Sequence, residues 1–394
     1  MMEKVRLGDV AAVITKGTTP TSMGYEFVDS GINFIKIESI TEDGSFIADK
    51  FAYITDECNQ KLSRSQLQEN DILFSIAGAI GRVAIVDKSI LPANTNQALA
   101  IIRVPKGIYE YTFLKYILRS PVISKQFEKQ KQGVAQINLS LKNISDFEIP
   151  VISLEQQRQV SLVLDKVNDL ITKRKEQLKK LDELVKARFV ELFGDIQTGE
   201  YKFETRKLGE VAVVGSSHRV FTTEFVEEGI PFYRGTEIGE LANGIKPENP
   251  YRITKEHYDR LASDETKPKV GDLLMPSICN KGQVWMVDTD EPFYYKDGRV
   301  LCISPNRKLF NCKYLEQFMR EKTLVEYPKL GSGSTFAEFK IFLLKDIDIL
   351  IPPIELQNQF AAFVEQTDKS KLEIQKSLEK LELLKKALMQ KYFG

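Results

Sequence analysis

The chain holds few residues from which a catalytic or metal centre could be built. Its only histidines are His218 and His257, neither in an H-E-x-x-H arrangement, so a zinc site or a Ser-His-Asp triad has little to work with. Cys58, Cys279, Cys302 and Cys312 show no C-x-x-C spacing and read as buried thiols of a reducing compartment. No G-x-x-x-x-G-K-[S/T] occurs for ATP, and no G-x-G-x-x-G opens a helix after a strand; Gly331-Ser-Gly333 reads as a polar loop. Pro352-Pro353 lies between Ile351 and Ile354, without the Asn/Asp-Pro-Pro-aromatic motif of amino-methyltransferases. Glu338-Phe-Lys340 resembles a nuclease triplet but lacks the preceding aspartate. The chain by itself is therefore expected to be no enzyme, with no metal site and no cofactor.

Other absences bound the environment. No apolar run approaches the length of a membrane span, and Met1-Met-Glu-Lys leads into Val5-Arg-Leu-Gly8 without a signal-peptide core, so a cytoplasmic location is expected. There is no excess of either charge: Lys+Arg and Asp+Glu both number 55. A protein that grips a polyanion unaided needs a basic face, because counterion release drives that binding. A local basic face, or a complex in which partners supply part of the positive charge, is compatible with this balance.

What the sequence does have is a heptad stripe. Ser153-Leu-Glu-Gln156 has capping-box form. Val160, Leu164, Val167, Ile171, Leu178, Leu181, Val185 and Leu192 then follow at steps of four and three, with Arg174 and Arg188 on the same stripe and Gly194 as the terminator. This predicts a helix of about five heptads, roughly 60 Å long, whose seam needs a partner. Ile374, Leu378, Leu381, Leu388 and Tyr392 repeat the register, and Phe393-Gly394 repeats Phe193-Gly194. The partner is expected within the same chain.

That recurrence belongs to a larger repeat with a period of about 200 residues. Leu7-Gly-Asp-Val10 returns as Leu208-Gly-Glu-Val211, Gly31-Ile-Asn-Phe34 as Gly229-Ile-Pro-Phe232, and Asn70-Asp-Ile-Leu73 as Gly271-Asp-Leu-Leu274. Each copy reads as a globular α+β part followed by a long helix. Strands are expected at 10–14, 32–37, 71–74, 82–86 and 98–104, and again at 273–275, 284–287 and 300–303; helices are expected at 111–119 and 122–131. The expected organisation is a first globular domain at 1–150, a central helix at 151–195, a second domain at 196–352 and a C-terminal helix at 353–394. The fold class is α+β, two pseudo-twofold-related α/β domains separated by two antiparallel coiled-coil helices. Outside the framework the copies diverge: Asn94-Thr-Asn-Gln97 has no likeness to Tyr294-Tyr-Lys-Asp297. A repeated framework with different loops suits two related domains aimed at two different targets.

The loops are rich in residues that suit DNA, with Lys, Ser and Thr for phosphates and Asn, Gln and Arg for base edges. Candidate contacts in the first part are Lys16, Thr18, Thr19, Lys36, Arg82, Asn94, Asn96, Gln97, Lys131 and Gln136. In the second they are Ser217, Arg219, Arg234, Lys281, Gln283, Lys296, Arg299, Ser332 and Ser334. Solvated turns are the plain alternative for any one of them. Trp285, Tyr294 and Tyr295 read as core or rim aromatics.

The chain resembles the specificity (S) subunits of type I restriction–modification systems, over essentially its whole length. The resemblance rests on Asn70-Asp-Ile-Leu-Phe-Ser75 with Gly81-Arg82, on Ala93-Asn-Thr-Asn-Gln-Ala98, on Gln136-Ile-Asn-Leu-Ser140, on Ile149-Pro150 before Leu154-Glu-Gln156, and on the two helices ending in Phe-Gly. The second half departs: Leu356-Gln357 replaces the usual Glu-Gln, and the Gln-Ile-Asn-Leu signature is gone. The resemblance implies two target-recognition domains, each reading half of a bipartite asymmetric site in double-stranded DNA, with helices that set the spacer. It also implies partners: two methyltransferase (M) subunits using S-adenosylmethionine, and restriction (R) subunits using ATP and Mg. A helical scaffold whose duplicated domains bind proteins is the reading from another class.

Overall fold

Strand Ile72–Ser75 is buried at all four positions, because both faces of its sheet are covered. Ile72, Phe74, Ala100 and Ile102 point into a core shared with helix Tyr111–Leu118, Ile144, Phe147 and Ile149. Leu73, Ala84, Leu99 and Ile101 point the other way, into a core with Ile35, Ile40 and Ala93. A strand buried on both faces reads as an unbroken apolar run, which is how these segments look in the sequence.

The computed structural model describes residues 3–128, 138–262, 267–331 and 337–394. Of the candidate contacts, Lys131, Gln136, Ser332 and Ser334 lie outside the described residues. The chain forms two compact units, Met1–Lys175 with Lys376–Gly394, and Glu176–Gln375.

In the first unit a four-stranded antiparallel sheet runs in the order Val13–Lys16, Leu99–Arg103, Ile72–Ser75, Val83–Ile85. A three-stranded sheet runs Ala52–Ile54, Ile32–Ile35, Ala93–Thr95, its last pair parallel. The second unit has the same topology. Its antiparallel sheet is Ala212–Gly215, Val300–Pro305, Leu273–Pro276, Trp285–Met286, and its mixed sheet is Tyr251–Ile253, Ile230–Tyr233, Tyr294–Tyr295. The repeat read from the sequence is thus a repeat of sheet order and strand direction. Trp285, Tyr294 and Tyr295 are core residues, as expected. Helices Gly235–Ala242 and Cys312–Glu326 add to what the sequence pattern indicated.

The recurring Asn70-Asp71 and Gly271-Asp272 are turns of the framework. Asn70 and Gly271 have φ of 69° and 84°, a region that favours Gly and Asn. Each aspartate is buried and closes its turn by accepting a backbone N–H, from Gln68 at 2.8 Å and from Lys269 at 2.9 Å. Arg103 neutralises Asp71 with two bonds, Nε–Oδ1 at 2.6 Å and Nη2–Oδ2 at 2.7 Å. Arg307 serves Asp272 through Nη2 at 2.7 Å from a different backbone place, because the strand register puts Ser304 where Arg103 stands.

The long helices run Leu154–Phe193 and Ile354–Phe393, so the division between units falls inside each. Ser153 and Gln156 form the expected capping box, and Gly194, at φ 99°, follows the last turn of the first helix. Within each unit the two helical segments lie antiparallel. In the first unit Leu164 packs with Met389, and Lys175 pairs with Glu382 at 3.4 Å. In the second Asp182 pairs with Lys371 at 2.6 Å, and the Phe189 ring meets Phe360 at 5.5 Å. Leu164, Val167, Ile171 and Val185 are buried, while Leu178 and Leu181 are half-buried.

Each globular part is fastened to its helix by a buried glutamine. Gln157 accepts from the Glu110 N–H (2.8 Å) and donates to the Ile152 carbonyl (2.9 Å). Gln357 accepts from the Asn311 N–H (2.9 Å) and donates to the Pro352 carbonyl (2.8 Å). Glu110 and Asn311 cap helices Tyr111–Leu118 and Cys312–Glu326, so the same clamp occurs twice.

Candidate nucleic-acid interface

In each unit the end of one edge strand and the loop leaving the parallel strand are brought side by side. After Val13–Lys16, the Gly17 N–H donates to the Asn96 carbonyl at 3.2 Å, and Thr19 Oγ1 donates to Gln97 Oε1. A Cβ at Gly17 would stand 1.8 Å from the Thr95 carbonyl oxygen, so only glycine permits this approach. After Ala212–Gly215, Ser216 Oγ donates to the Val300 carbonyl at 2.8 Å and Ser217 Oγ to the Tyr295 carbonyl at 2.5 Å. Arg219 Nε reaches Asp297 Oδ2 at 3.3 Å. Residues about 80 positions apart in sequence thus form one rim per unit. Lys16, Thr18, Thr19, Asn96 and Gln97 belong to the first rim; Ser217, Arg219, Lys296 and Arg299 belong to the second.

Several candidates are engaged within the fold. Asn94 is fully buried, its amide donating to Asn59 Oδ1 at 2.8 Å and to the Leu62 carbonyl at 3.2 Å. It cannot meet a base edge in this conformation, and the reason is positional. The register places it opposite Phe34, as Tyr294 stands opposite Phe232, in an interior slot of the small sheet. Arg82 directs Nη1 at the carbonyls of Ile40 (2.7 Å) and Ile37 (3.3 Å), bracing the turn after Ile32–Ile35. The strand register makes Gln283 the positional partner of Arg82. Gln283 folds back to accept from the Lys281 N–H at 3.0 Å, and the Lys281 side chain is exposed.

Lys36 and Arg234 end equivalent strands and both rest on aromatic faces. The Lys36 ammonium sits 4.2 Å from the centre of Phe27, and the Arg234 guanidinium 4.5 Å from that of Tyr251, which itself stacks on Phe225. Arg234 is also gripped by Glu237, with Nη2–Oε1 at 2.6 Å. Burial raises the Glu237 carboxyl, but the hydrogen bonds and charge of Arg234 outweigh it and hold the group below its ordinary range.

What residue counting missed is that carboxylates hold the three candidate arginines of the second unit, Arg219, Arg234 and Arg299. Besides Glu237, Asp297 meets Arg219, and Glu338 Oε2 accepts from Arg299 Nη1 at 2.6 Å. Glu338 also pairs with Lys340, and that contact and the Arg299 guanidinium pull its carboxyl below the usual range. The balanced composition was the available signal. Among the described residues, no group of three or more His, Cys, Asp or Glu is placed to hold a metal ion, and no helix is long and apolar enough to cross a membrane.

Two α+β units of one topology, each continuing into a long heptad helix and presenting a polar rim, define a duplicated recognition protein. The sequence pattern of the type I restriction modification DNA specificity domain matches residues 1–180 and again 200–385. The chain belongs to that family, as a type I restriction–modification specificity subunit with two such domains in tandem. It is 26% identical to the putative type I restriction enzyme MjaX specificity subunit of Methanocaldococcus jannaschii, the match covering 97% of this chain and 90% of that protein. A local match, 33% identical over 34% of the chain and 28% of the relative, is to the EcoBI specificity subunit of Escherichia coli. Among solved structures, the S subunit from M. genitalium superposes with a TM-score of 0.56 at 14% identity, covering 100% of this chain and 96% of that one. A chain from a structural study of type I R-M complex assembly and conformational transition gives 0.61 at 20% identity, covering 99% and 97%. These likenesses are of fold.

Proposed function

We propose that each unit reads one half of a bipartite, asymmetric sequence in double-stranded DNA, and that the helical pair fixes the spacer between the halves. The observation that carries this reading is the contrast between the two rims. They occupy the same place in the same topology, yet one carries Lys16, Thr19, Asn96 and Gln97 and the other Ser217, Arg219, Lys296 and Arg299. Identical frameworks with different donors are what two different half-sites require. Lysines and threonines on the rims hold phosphates and set register; asparagine, glutamine and arginine read base edges.

The helices, each 40 residues, are about 60 Å long and supply the surface on which two methyltransferase subunits dock. Those subunits bring S-adenosylmethionine and methylate adenine, while restriction subunits bring ATP and Mg. Partners that share the DNA phosphates also account for a specificity chain without net positive charge. Co-expression with the methyltransferase, followed by sequencing of methylated adenines, tests the reading. The expected outcome is methylation at one bipartite motif with a fixed spacer. A stable complex that methylates no such motif would refute it.

A further inference from the structure

We propose that Glu338 is a specificity-determining positioning residue, which holds Arg299 so that its Nε–Nη2 edge reads a guanine in the half-site of the second unit. The proposal rests on the half-site reading above. Arg299 is more than half exposed, yet its Nη1 is fixed to Glu338 Oε2 at 2.6 Å. Glu338 is in turn held by Lys340 and by Ser277 Oγ at 3.5 Å. Nε and Nη2 of Arg299 have no hydrogen-bond partner among the described residues, and together they form one two-donor edge of the fork. That edge matches the O6 and N7 acceptors of guanine in the major groove.

Arg299 lines a cleft together with Arg219, Phe221, Lys296 and Asp297. Arg219 is held in the same manner, its Nε on Asp297 Oδ2. An arginine paired to a carboxylate loses rotamer freedom before DNA arrives, so less is lost on binding. Glu338 is shared with Lys340, so the group keeps one net positive charge, and what favours a base edge over a phosphate is the fixed direction of the two free donors of Arg299.

Comparison of the two units shows that the framework does not require this pair, as expected of residues that serve target reading. The Ser277 N–H donates to the Arg299 carbonyl and the Phe339 N–H to the Ser277 carbonyl. In the first unit the Ile76 N–H donates to the Ala98 carbonyl and the Leu139 N–H to the Ile76 carbonyl. Arg299 therefore stands where the first unit has Ala98, and Glu338 where it has Asn138. Both members of the pair differ together, while the backbone bonds around them are the same.

The test uses the specificity chain in complex with its methyltransferase, acting on DNA in which each half-site base is varied in turn. Glu338→Gln is expected to lower the preference for guanine at one position of one half-site by roughly ten-fold or more, leaving the other positions, the other half-site and the spacer as they were. Arg299→Lys, a surface change that keeps the charge, is expected to relax the same position. Equal loss of methylation on all sequences in both variants would make Arg299 a phosphate contact and overturn the proposal. An unchanged base preference would overturn it too. A wild-type complex with no bipartite preference would instead refute the half-site reading, and the proposal with it.

Discussion

At the scale of single residues, Asp71 shows how a recurring motif can serve the fold rather than the ligand. Its carboxylate has no exposure and is held by both arms of Arg103 and by the Gln68 N–H. Removing one member of a buried charge pair leaves the other uncompensated. Arg103→Ala is therefore expected to destabilise the first unit by about 3 kcal/mol in guanidinium unfolding. Arg307→Ala is expected to cost less, because Asp272 is held by one bond from a more exposed arginine. The same scale explains why candidate contacts were only partly legible. Residue type announces a donor, but only a tertiary neighbour decides whether it faces outward. Asn94 and Arg82 spend their donors on carbonyls brought from other segments, and Arg219, Arg234 and Arg299 are met by acids distant in the sequence or one helical turn away.

At the scale of elements, the heptad stripe and the Ser153 cap were local patterns, and both long helices and their seams follow from them. The clamping role of Gln157 and Gln357 was not legible, although both lie just past a helix start. A glutamine on a polar first turn looks solvated until Glu110 or Asn311 arrives from the domain. In Gln157→Leu the Glu110 N–H and the Ile152 carbonyl lose their partner, and a buried unsatisfied group costs about 1–3 kcal/mol. The substitution is expected to destabilise the first unit by about 2 kcal/mol and to speed amide hydrogen exchange at Glu110 while leaving Asn311 protected. Gln357→Leu is expected to do the reverse. Equal effects at both amides would show that the clamps do not act locally.

At the scale of the whole molecule, the spacer reading depends on the helices as a pair. Asp182 faces Lys371, so the stretch opposite Leu178–Leu184 is Lys369–Gln375. Deleting both heptads keeps the seam in phase and shortens the pair by about 10 Å. The complex is expected to recognise the same two half-sites with a spacer roughly 3 base pairs shorter, read by methylation sequencing. A changed half-site with an unchanged spacer would show that the helices are not the ruler.

The sequence by itself determined the repeat, the alternation of strand-rich parts with heptad helices, and the scarcity of catalytic residues, because periodicity and composition are properties of local order along the chain. Only the tertiary structure decided which donors face outward. The rims at Lys16–Gln97 and Ser217–Arg299, and the carboxylates that hold Arg219 and Arg299, come from segments far apart in sequence. Their meeting is set by strand register and by the parallel pairs Ile32–Ile35 with Ala93–Thr95 and Ile230–Tyr233 with Tyr294–Tyr295.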